Sequence, residues 1–275
     1  MKSPHYKVKI GIVGCGAIGS RMAKGIAQDF TKDCRVTGLY DIDMMKARNL
    51  AQKLRLNNVV MPNLKSLIQH SDCVVEAVNA PDIRPIVEQA LKAKKTVLSM
   101  SVGKIFQAPE LFELAKKNKC YILLPSGAVA GIDAIKAASL AKIRKITLTT
   151  RKPLVGFRKN SFLSQNGFHF NKIKKETLLF KGNVTEALTR FPLNINVAAT
   201  LALACGSPKK LQIRIFTSPH YKRNSHEIEV VGDFGTITTK TDNIVCPDNP
   251  KTSYLAVLSG LQTLKQYCTG ILIGT

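Results

Sequence analysis

A glycine-rich turn near the amino terminus constrains the fold of this chain more than any other feature. The apolar run from Val8 to Val13 breaks into glycines at positions 14, 16 and 19, after which apolar residues recur with helical spacing. In such a strand, turn and helix, the first glycine makes the turn, the second lets a ligand approach the backbone, and the third lets helix and strand pack closely. The pattern predicts a dinucleotide pyrophosphate on the amides that open the helix, at Gly14, Gly16, Ala17, Ile18 and Gly19.

A carboxylate follows the second predicted strand. Asp41 ends the run that begins at Val36, and it lies 22 residues after Gly19, close to the ~20 residues expected for the acid that binds the ribose 2′-OH. Such a carboxylate repels a 2′-phosphate, so Asp41 favours NAD. Because Lys46 and Arg48 are near in sequence, we expect some NADP use as well. An ordinary strand, turn and helix without a ligand is the alternative interpretation.

Strands and helices alternate over the first 126 residues, which predicts a doubly wound parallel sheet. Ligands of such sheets lie beyond the carboxyl ends of the strands. Asn79 and Ala80 follow one strand, so we expect them beside the cofactor, together with residues 99–102 and 125–126. After Gly127 most runs are strand-like, which predicts a second α/β domain with a mixed, mostly antiparallel sheet.

The net charge of +23 is unusually high. Dividing the chain at Ser126 gives 20 basic and 10 acidic residues before it and 21 and 8 from it onward, so the excess is spread over the chain. A nucleic-acid surface is disfavoured, because the cations are dispersed and aromatic residues are only 6%. The charge runs from Lys142 to Lys152 and from Lys172 to Lys175 predict solvated strand edges.

The cysteine pattern indicates reduced thiols. The seven cysteines form no CxxC pair and no metal-ligand spacing, so we expect no metal site. The first apolar run is too short for a signal peptide, and the run from Val197 to Cys205 is too short to span a bilayer. We therefore expect a cytoplasmic protein without a membrane partner.

Three segments are candidates for the chemistry. Histidine is the usual proton carrier near neutral pH, and His220 and His226 flank the entry to a strand; from chemistry alone either of them, or neither, is the catalytic residue. The glycine-rich turn at 125–131 offers amides to an anion, or is a hinge between domains. Asn194 and Asn196 open a helix, where they bind a ligand or serve as caps.

Four segments, in order behind the glycine turn, resemble the L-aspartate dehydrogenase family: PSGAVAGIDAIKAA, FPLNINVAATLALA, NSHEIEVVGDFG and NPKTSYLAVLSGL. The resemblance covers nearly the whole chain. It implies NAD- or NADP-dependent oxidative deamination of L-aspartate to iminoaspartate, which hydrolyses to oxaloacetate and ammonia or enters quinolinate and NAD biosynthesis.

The resemblance also implies roles for particular residues. The catalytic histidine of the family lies in an N-x-H-x-I segment, which corresponds to His226. The cofactor contacts correspond to Ala128 or Ala130 and to Asn196. Lys104 stands where an apolar residue is expected, which is a departure outside these motifs.

The family architecture returns the C-terminal helix to the Rossmann domain. It implies a dinucleotide-binding domain at 1–126 with 250–275, a substrate-binding and dimerisation domain at 127–249, and a homodimer formed through the sheet of that second domain. Exposed strands after Gly127 also need covering.

The two substrate carboxylates require paired donors or cations. The predicted last helix runs from Thr252 to Tyr267, and its opening is the favoured carboxylate site. The candidate ligands are Asn194, Lys251, Thr252 and Ser253. Alternatives to this function are a homoserine dehydrogenase-like or dihydrodipicolinate reductase-like enzyme, or a dinucleotide-sensing or nucleic-acid-binding protein.

Overall fold

The computed structural model describes residues 7–157, 160–191, 195–246 and 249–274, with side chains omitted at 249–251. The chain divides into two compact units. One consists of Met1–Pro125 with Val257–Ile273, and the other of Ser126–Ala256 with Gly274–Thr275. Within the described residues, no helix combines the length and apolar character needed to cross a membrane.

The first unit contains a five-stranded parallel sheet in the order β2-β1-β3-β4-β5. Its strands are β1 (Val8–Val13), β2 (Cys34–Tyr40), β3 (Cys73–Glu76), β4 (Thr96–Ser99) and β5 (Ile122–Leu123). Its helices are α1 (Ala17–Gln28), α2 (Met44–Lys53), α3 (Leu64–Gln69), α4 (Arg84–Lys92), α5 (Val102–Phe106), α6 (Glu110–Lys117) and most of α11 (Tyr254–Thr269). The predicted doubly wound sheet is confirmed.

Helices bury apolar clusters against this sheet, and its strands β3 and β4 are buried throughout. The four residues of β3 and the four of β4 are all buried, as expected for parallel strands covered on both faces. Helix α11 packs close to α1 at Gly25. A Cβ at that position would lie only 2.6 Å from the side chain of Leu261. Leu261 and Leu264 join the same cluster as Ile10 and Ile26.

The second unit contains a mixed sheet in the order β10-β9-β6-β8-β7, in which only the β6 and β8 pair is parallel. The fold class predicted for this part is confirmed. The strands are β6 (Ile143–Pro153), β7 (Thr177–Gly182), β8 (Leu211–Ser218), β9 (Asn224–Gly232), β10 (Gly235–Asn243) and the separate pair β11 (Val245–Cys246) and β12 (Asn249–Ser253). The helices are α7 (Ile132–Ala138), α8 (Ser161–Gln165), α9 (Val184–Arg190) and α10 (Asn196–Ala204).

The two faces of the second sheet differ in chemistry. Side chains alternate between faces along a strand, and the face that carries Leu148 and Ile228 is buried and apolar; we call it the inner face. The outer face carries the ion pairs of Lys145 with Glu229 and of Arg151 with Glu227.

The sequence predicts that the charge run from Lys142 to Lys152 is a solvated strand edge, and this prediction is wrong. The run falls on β6, which is the central strand of the sheet. The alternating positions of β6 place some of its cations on the outer face and Lys152 on the inner one. The run Lys172 to Lys175 does precede an edge strand, β7.

The predicted start of the last helix is also wrong. Residues 249–253 form β12, which pairs with β11 through Ser253 and Val245. Helix α11 therefore begins at Tyr254, two residues later than predicted. Thr252 and Ser253 therefore lie on β12, directly ahead of the last helix, and their role as ligands for a carboxylate stays a prediction.

Candidate active site

The glycine turn has the geometry that dinucleotide binding requires. Gly14 has a φ of +94°, and a Cβ there would lie 2.5 Å from the carbonyl oxygen of Ala77. A Cβ on Gly19 would overlap the carbonyl oxygen of Gly14, whereas one on Gly16 would meet nothing within 4 Å. The first and third glycines are thus demanded by close contacts, and the second faces open space.

Helix α1 opens directly behind this open space. Its N-cap is Gly16, and no side chain caps its first amides by a hydrogen bond. Ala17 and Ile18 form its first turn. Uncapped amides at a helix N-terminus favour an anion, so the turn fits the pyrophosphate of a dinucleotide.

Asp41 closes one side of the turn. Its Oδ2 accepts a hydrogen bond of 2.7 Å from the Cys15 amide, and its Oδ1 accepts one of 2.9 Å from the Asp43 amide. These bonds fix the carboxylate at the end of β2 beside the glycines. Each carboxylate oxygen keeps further acceptor capacity, so Asp41 can also accept from a ribose hydroxyl.

A buried carboxylate supports the ends of β3 and β4. Glu76 is inaccessible to solvent and accepts hydrogen bonds from Ser99 Oγ at 2.5 Å, from Ser101 Oγ at 3.0 Å and from the Val78 amide at 2.9 Å. Burial raises the pKa of this carboxyl. No motif or spacing in the sequence singles out Glu76.

Asn79 and Ala80 lie shortly after Glu76, in the segment that follows β3. Asn79 is exposed and Ala80 is half-buried, and the ammonium of Lys104 donates a hydrogen bond to the Ala80 carbonyl. Lys104, the residue that departs from the expected apolar character, therefore ties the start of α5 to the segment after β3.

His226 lies on β9, where its side chain is only 4% exposed. On the neighbouring strand β6, Thr150 pairs with it in register, and Thr150 Oγ1 lies 3.0 Å from His226 Nδ1. Burial, and to a smaller extent the charge of Lys152, lower the pKa of His226 to about 3. The imidazole is therefore neutral at physiological pH. His220, the alternative candidate, is exposed in the turn before β9.

The glycine-rich turn at 127–131 is attached to the strand beside His226. On β10, Thr241 pairs with His226 in register. Thr241 Oγ1 and Asn243 Nδ2 donate hydrogen bonds of 2.8 and 3.0 Å to the Ala128 carbonyl. The Ala130 carbonyl accepts from Thr239 Oγ1 at 3.1 Å. These bonds attach the turn that carries Ala128 and Ala130 to the β9–β10 hairpin that carries His226.

The other predicted ligands belong to α10, to β12 or to residues outside those that the structure describes. Asn196 is the exposed first residue of α10, whose N-cap is Ile195, so Asn196 is not a cap. Asn194 lies outside the described residues, and the side chain of Lys251 is not described. Thr252 is half-buried and Ser253 is buried on β12. Within the described part of the chain, no cluster of three metal-ligating side chains is present.

Sequence reasoning missed Lys152. Its side chain is partly exposed, and burial lowers its pKa to about 8. The signal was present in the alternation of β6, because Ile146, Leu148 and Thr150 alternate with polar residues and place Lys152 next on the same face. The density of charge around it masked that pattern.

Comparisons with known proteins cover both units. The family model described as "Aspartate dehydrogenase, C-terminal" matches residues 133–267, and the model described as "Homoserine dehydrogenase, NAD binding domain" matches residues 14–125. The L-aspartate dehydrogenases of Methanosarcina mazei and Methanosarcina barkeri are 42% and 41% identical over 98% of this chain and 100% of their own length. The crystal structure of Thermotoga maritima aspartate dehydrogenase matches with a TM-score of 0.70 at 21% identity, covering 98% of this chain and 100% of that one; at this identity the likeness shows the fold.

Proposed function

The chain belongs to the L-aspartate dehydrogenase family, and from this premise we propose that His226 is the general base of its NAD(P)-dependent oxidative deamination of L-aspartate. The observation that carries the proposal is the burial of a neutral imidazole on the inner face, between Thr150 on β6 and Thr241 on β10. A neutral imidazole accepts protons, and burial shields it from bulk water.

The hydrogen bond to Thr150 determines which nitrogen acts. When Nδ1–H donates to Thr150 Oγ1, the lone pair of Nε2 is available for proton transfer. The α-ammonium of aspartate must lose a proton before its Cα can release a hydride, and Nε2 of His226 accepts that proton. His226 releases this proton to solvent as iminoaspartate forms, so that Nε2 is free to accept a proton from the water that attacks the imine carbon. It then returns that proton to the amine nitrogen, and ammonia leaves as the hydroxyl loses its proton and becomes the carbonyl of oxaloacetate.

The cofactor supplies the nicotinamide that accepts the hydride. We assign the pyrophosphate to Gly14, Gly16, Ala17, Ile18 and Gly19, and the adenosine ribose to Asp41, whose carboxylate favours NAD over NADP. We assign the nicotinamide side to Asn79, Ala80, Ala128, Ala130 and Asn196. The open space at Gly16 supports the pyrophosphate assignment, and the fixed Asp41 carboxylate supports the ribose assignment.

We further propose a homodimer formed through the outer face of the second sheet. Two hydroxyls on that face, Thr147 Oγ1 and Ser225 Oγ, are buried without a hydrogen-bond partner among the described residues. Buried hydroxyls normally have partners, which a second copy or ordered water supplies. Sedimentation equilibrium of the protein and of its Ser225→Arg variant tests this, and a monomer in both cases contradicts it. The cytoplasmic location stays a prediction.

Substitution of the two candidate histidines tests the catalytic role. Loss of a general base costs about 10²–10⁴-fold in rate, so His226→Ala should lose about that much kcat while it still binds NAD. His220→Ala is the control, because His220 is exposed and should leave kcat within about twofold. A large loss in His220→Ala with His226→Ala near the wild type contradicts the assignment.

A further inference from the structure

Lys152 occupies a position on the inner face that the reaction described above does not yet use. It follows Thr150 by two residues on β6, so the two side chains point to the same face as His226. On the other side, Lys152 pairs in register with Thr217 of β8, a residue with no solvent exposure. Thr217 Oγ1 donates a hydrogen bond of 2.8 Å to the Lys152 carbonyl, which fixes the backbone there.

The environment of Lys152 differs from that of the neighbouring cation. Arg151 points to the outer face, where its guanidinium bonds Glu176 at 3.1 Å and Glu227 at 2.9 Å. Lys152 points instead to the face of the catalytic imidazole, where burial lowers its pKa to about 8. It still carries a proton at neutral pH, and its charge acts on His226.

A cation placed beside a general base opposes catalysis unless an anion compensates it. Both carboxylates of the substrate must find cations or strong donors as they leave water. A charge-assisted hydrogen bond is roughly twice as strong as a neutral one. Resting on the function proposed above, we propose that the Lys152 ammonium binds a carboxylate of L-aspartate on the inner face beside His226.

Substrate binding would then also activate the base. Within the described strands, the polar side chains that flank His226 on the inner face are those of Thr150 and Lys152 from β6, Thr241 from β10 and Asn224 from its own strand, and Lys152 is the titratable one of these four. A carboxylate on Lys152 cancels the field that disfavours the imidazolium, which raises the pKa of His226 from about 3. The base therefore gains proton affinity when a dicarboxylate is bound.

The test compares Lys152→Met with Lys152→Arg and with a surface control. Lys209 is exposed ahead of β8, at the opposite end of that strand from Thr217, so Lys209→Met controls for the loss of one positive charge. Binding of succinate, a dicarboxylate without an amine, is measured by calorimetry on the NAD-saturated enzyme. KM and kcat for aspartate are measured in parallel.

We expect Lys152→Met to weaken succinate binding and raise KM for aspartate by about 10- to 100-fold, as for a lost charged hydrogen bond. Lys152→Arg should recover most of the binding, and Lys209→Met should stay within about twofold. Unchanged succinate binding in a folded Lys152→Met, or in Lys152→Gln if the first variant fails to fold, overturns the proposal. The base assignment is judged separately, because His226→Ala should lose kcat and keep succinate binding.

Discussion

The substitution Lys152→Met should make the protein more stable although it damages substrate binding. The folded state lowers the pKa of Lys152 from 10.5 to about 8 because the ammonium is partly withdrawn from water. Between the lowered pKa of the folded state and the pKa of the unfolded state, the unfolded chain binds more protons than the folded one, so stability falls as the pH drops through that interval. The loss of stability that comes from withdrawing the ammonium from water is complete below about pH 8. A Met side chain has no charge and therefore does not cause this loss.

The size of the effect follows from the shift. A lowering from 10.5 to about 8 corresponds to about 3 kcal/mol at neutral pH, and partial exposure of the side chain makes this an upper bound. We expect Lys152→Met to raise the free energy of unfolding by about 1–3 kcal/mol at about pH 7 and by less than half of that at about pH 9.5. Stabilisation at the expense of activity is typical of residues placed for function.

Urea unfolding of the wild type and of Lys152→Met at the two pH values measures the difference. Because the chain has two units, the transition should be followed both by far-ultraviolet circular dichroism and by hydrogen exchange of the β6 and β9 amides. A Lys152→Met that is less stable at neutral pH, or a difference that does not change with pH, would refute the reasoning.

Four further substitutions test the first unit. Gly19→Ala places a Cβ against the Gly14 carbonyl and should lower the melting temperature by an amount equivalent to about 1–3 kcal/mol. Gly16→Ala should leave the melting temperature unchanged and weaken NAD binding. Equal melting temperatures of the two variants would contradict this prediction. Glu76→Ala removes the acceptor of three hydrogen bonds, two of them buried, and should lower the free energy of unfolding in urea by about 2–4 kcal/mol. A loss below about 1 kcal/mol would argue against a supporting role. Asp41→Asn should lower the ratio of kcat/KM for NAD to that for NADP by about tenfold, since repulsion of the 2′-phosphate is lost; an unchanged ratio would show that Asp41 does not face the ribose.

Much of the fold follows from periodicity. The alternation of strands and helices before Gly127 predicts a parallel sheet, and the observed strands lie within the predicted runs or differ from them by a few residues at the ends. The predicted start of the last helix was wrong because Thr252 and Ser253, which follow Pro250, resemble helix-capping residues. Pairing of β12 with β11 is a tertiary contact, which local propensity does not contain.

The candidate site was less accessible to sequence reasoning. Strand alternation alone does not distinguish His220 from His226; the family resemblance pointed to His226, and burial and register on the inner face then support that choice. Sequence reasoning did not find Lys152, because a run of cations is typical of a solvated strand edge. The structure places β6 at the centre of the sheet, so the two faces of this strand have different surroundings. Glu76 lies inside an apolar strand, where only its hydrogen-bond partners reveal a structural purpose.

The central claim, that aspartate is oxidised with His226 as base, is tested most directly by NADH formation from L-aspartate, L-asparagine and L-homoserine with the wild type and His226→Ala. We expect rapid NADH formation by the wild type with aspartate. The kcat/KM for asparagine should be at least about 100-fold lower, because its amide leaves a charged donor without an anion. The kcat for aspartate should fall about 10²–10⁴-fold in His226→Ala. Equal rates with aspartate and homoserine, or full activity of His226→Ala, would contradict the claim.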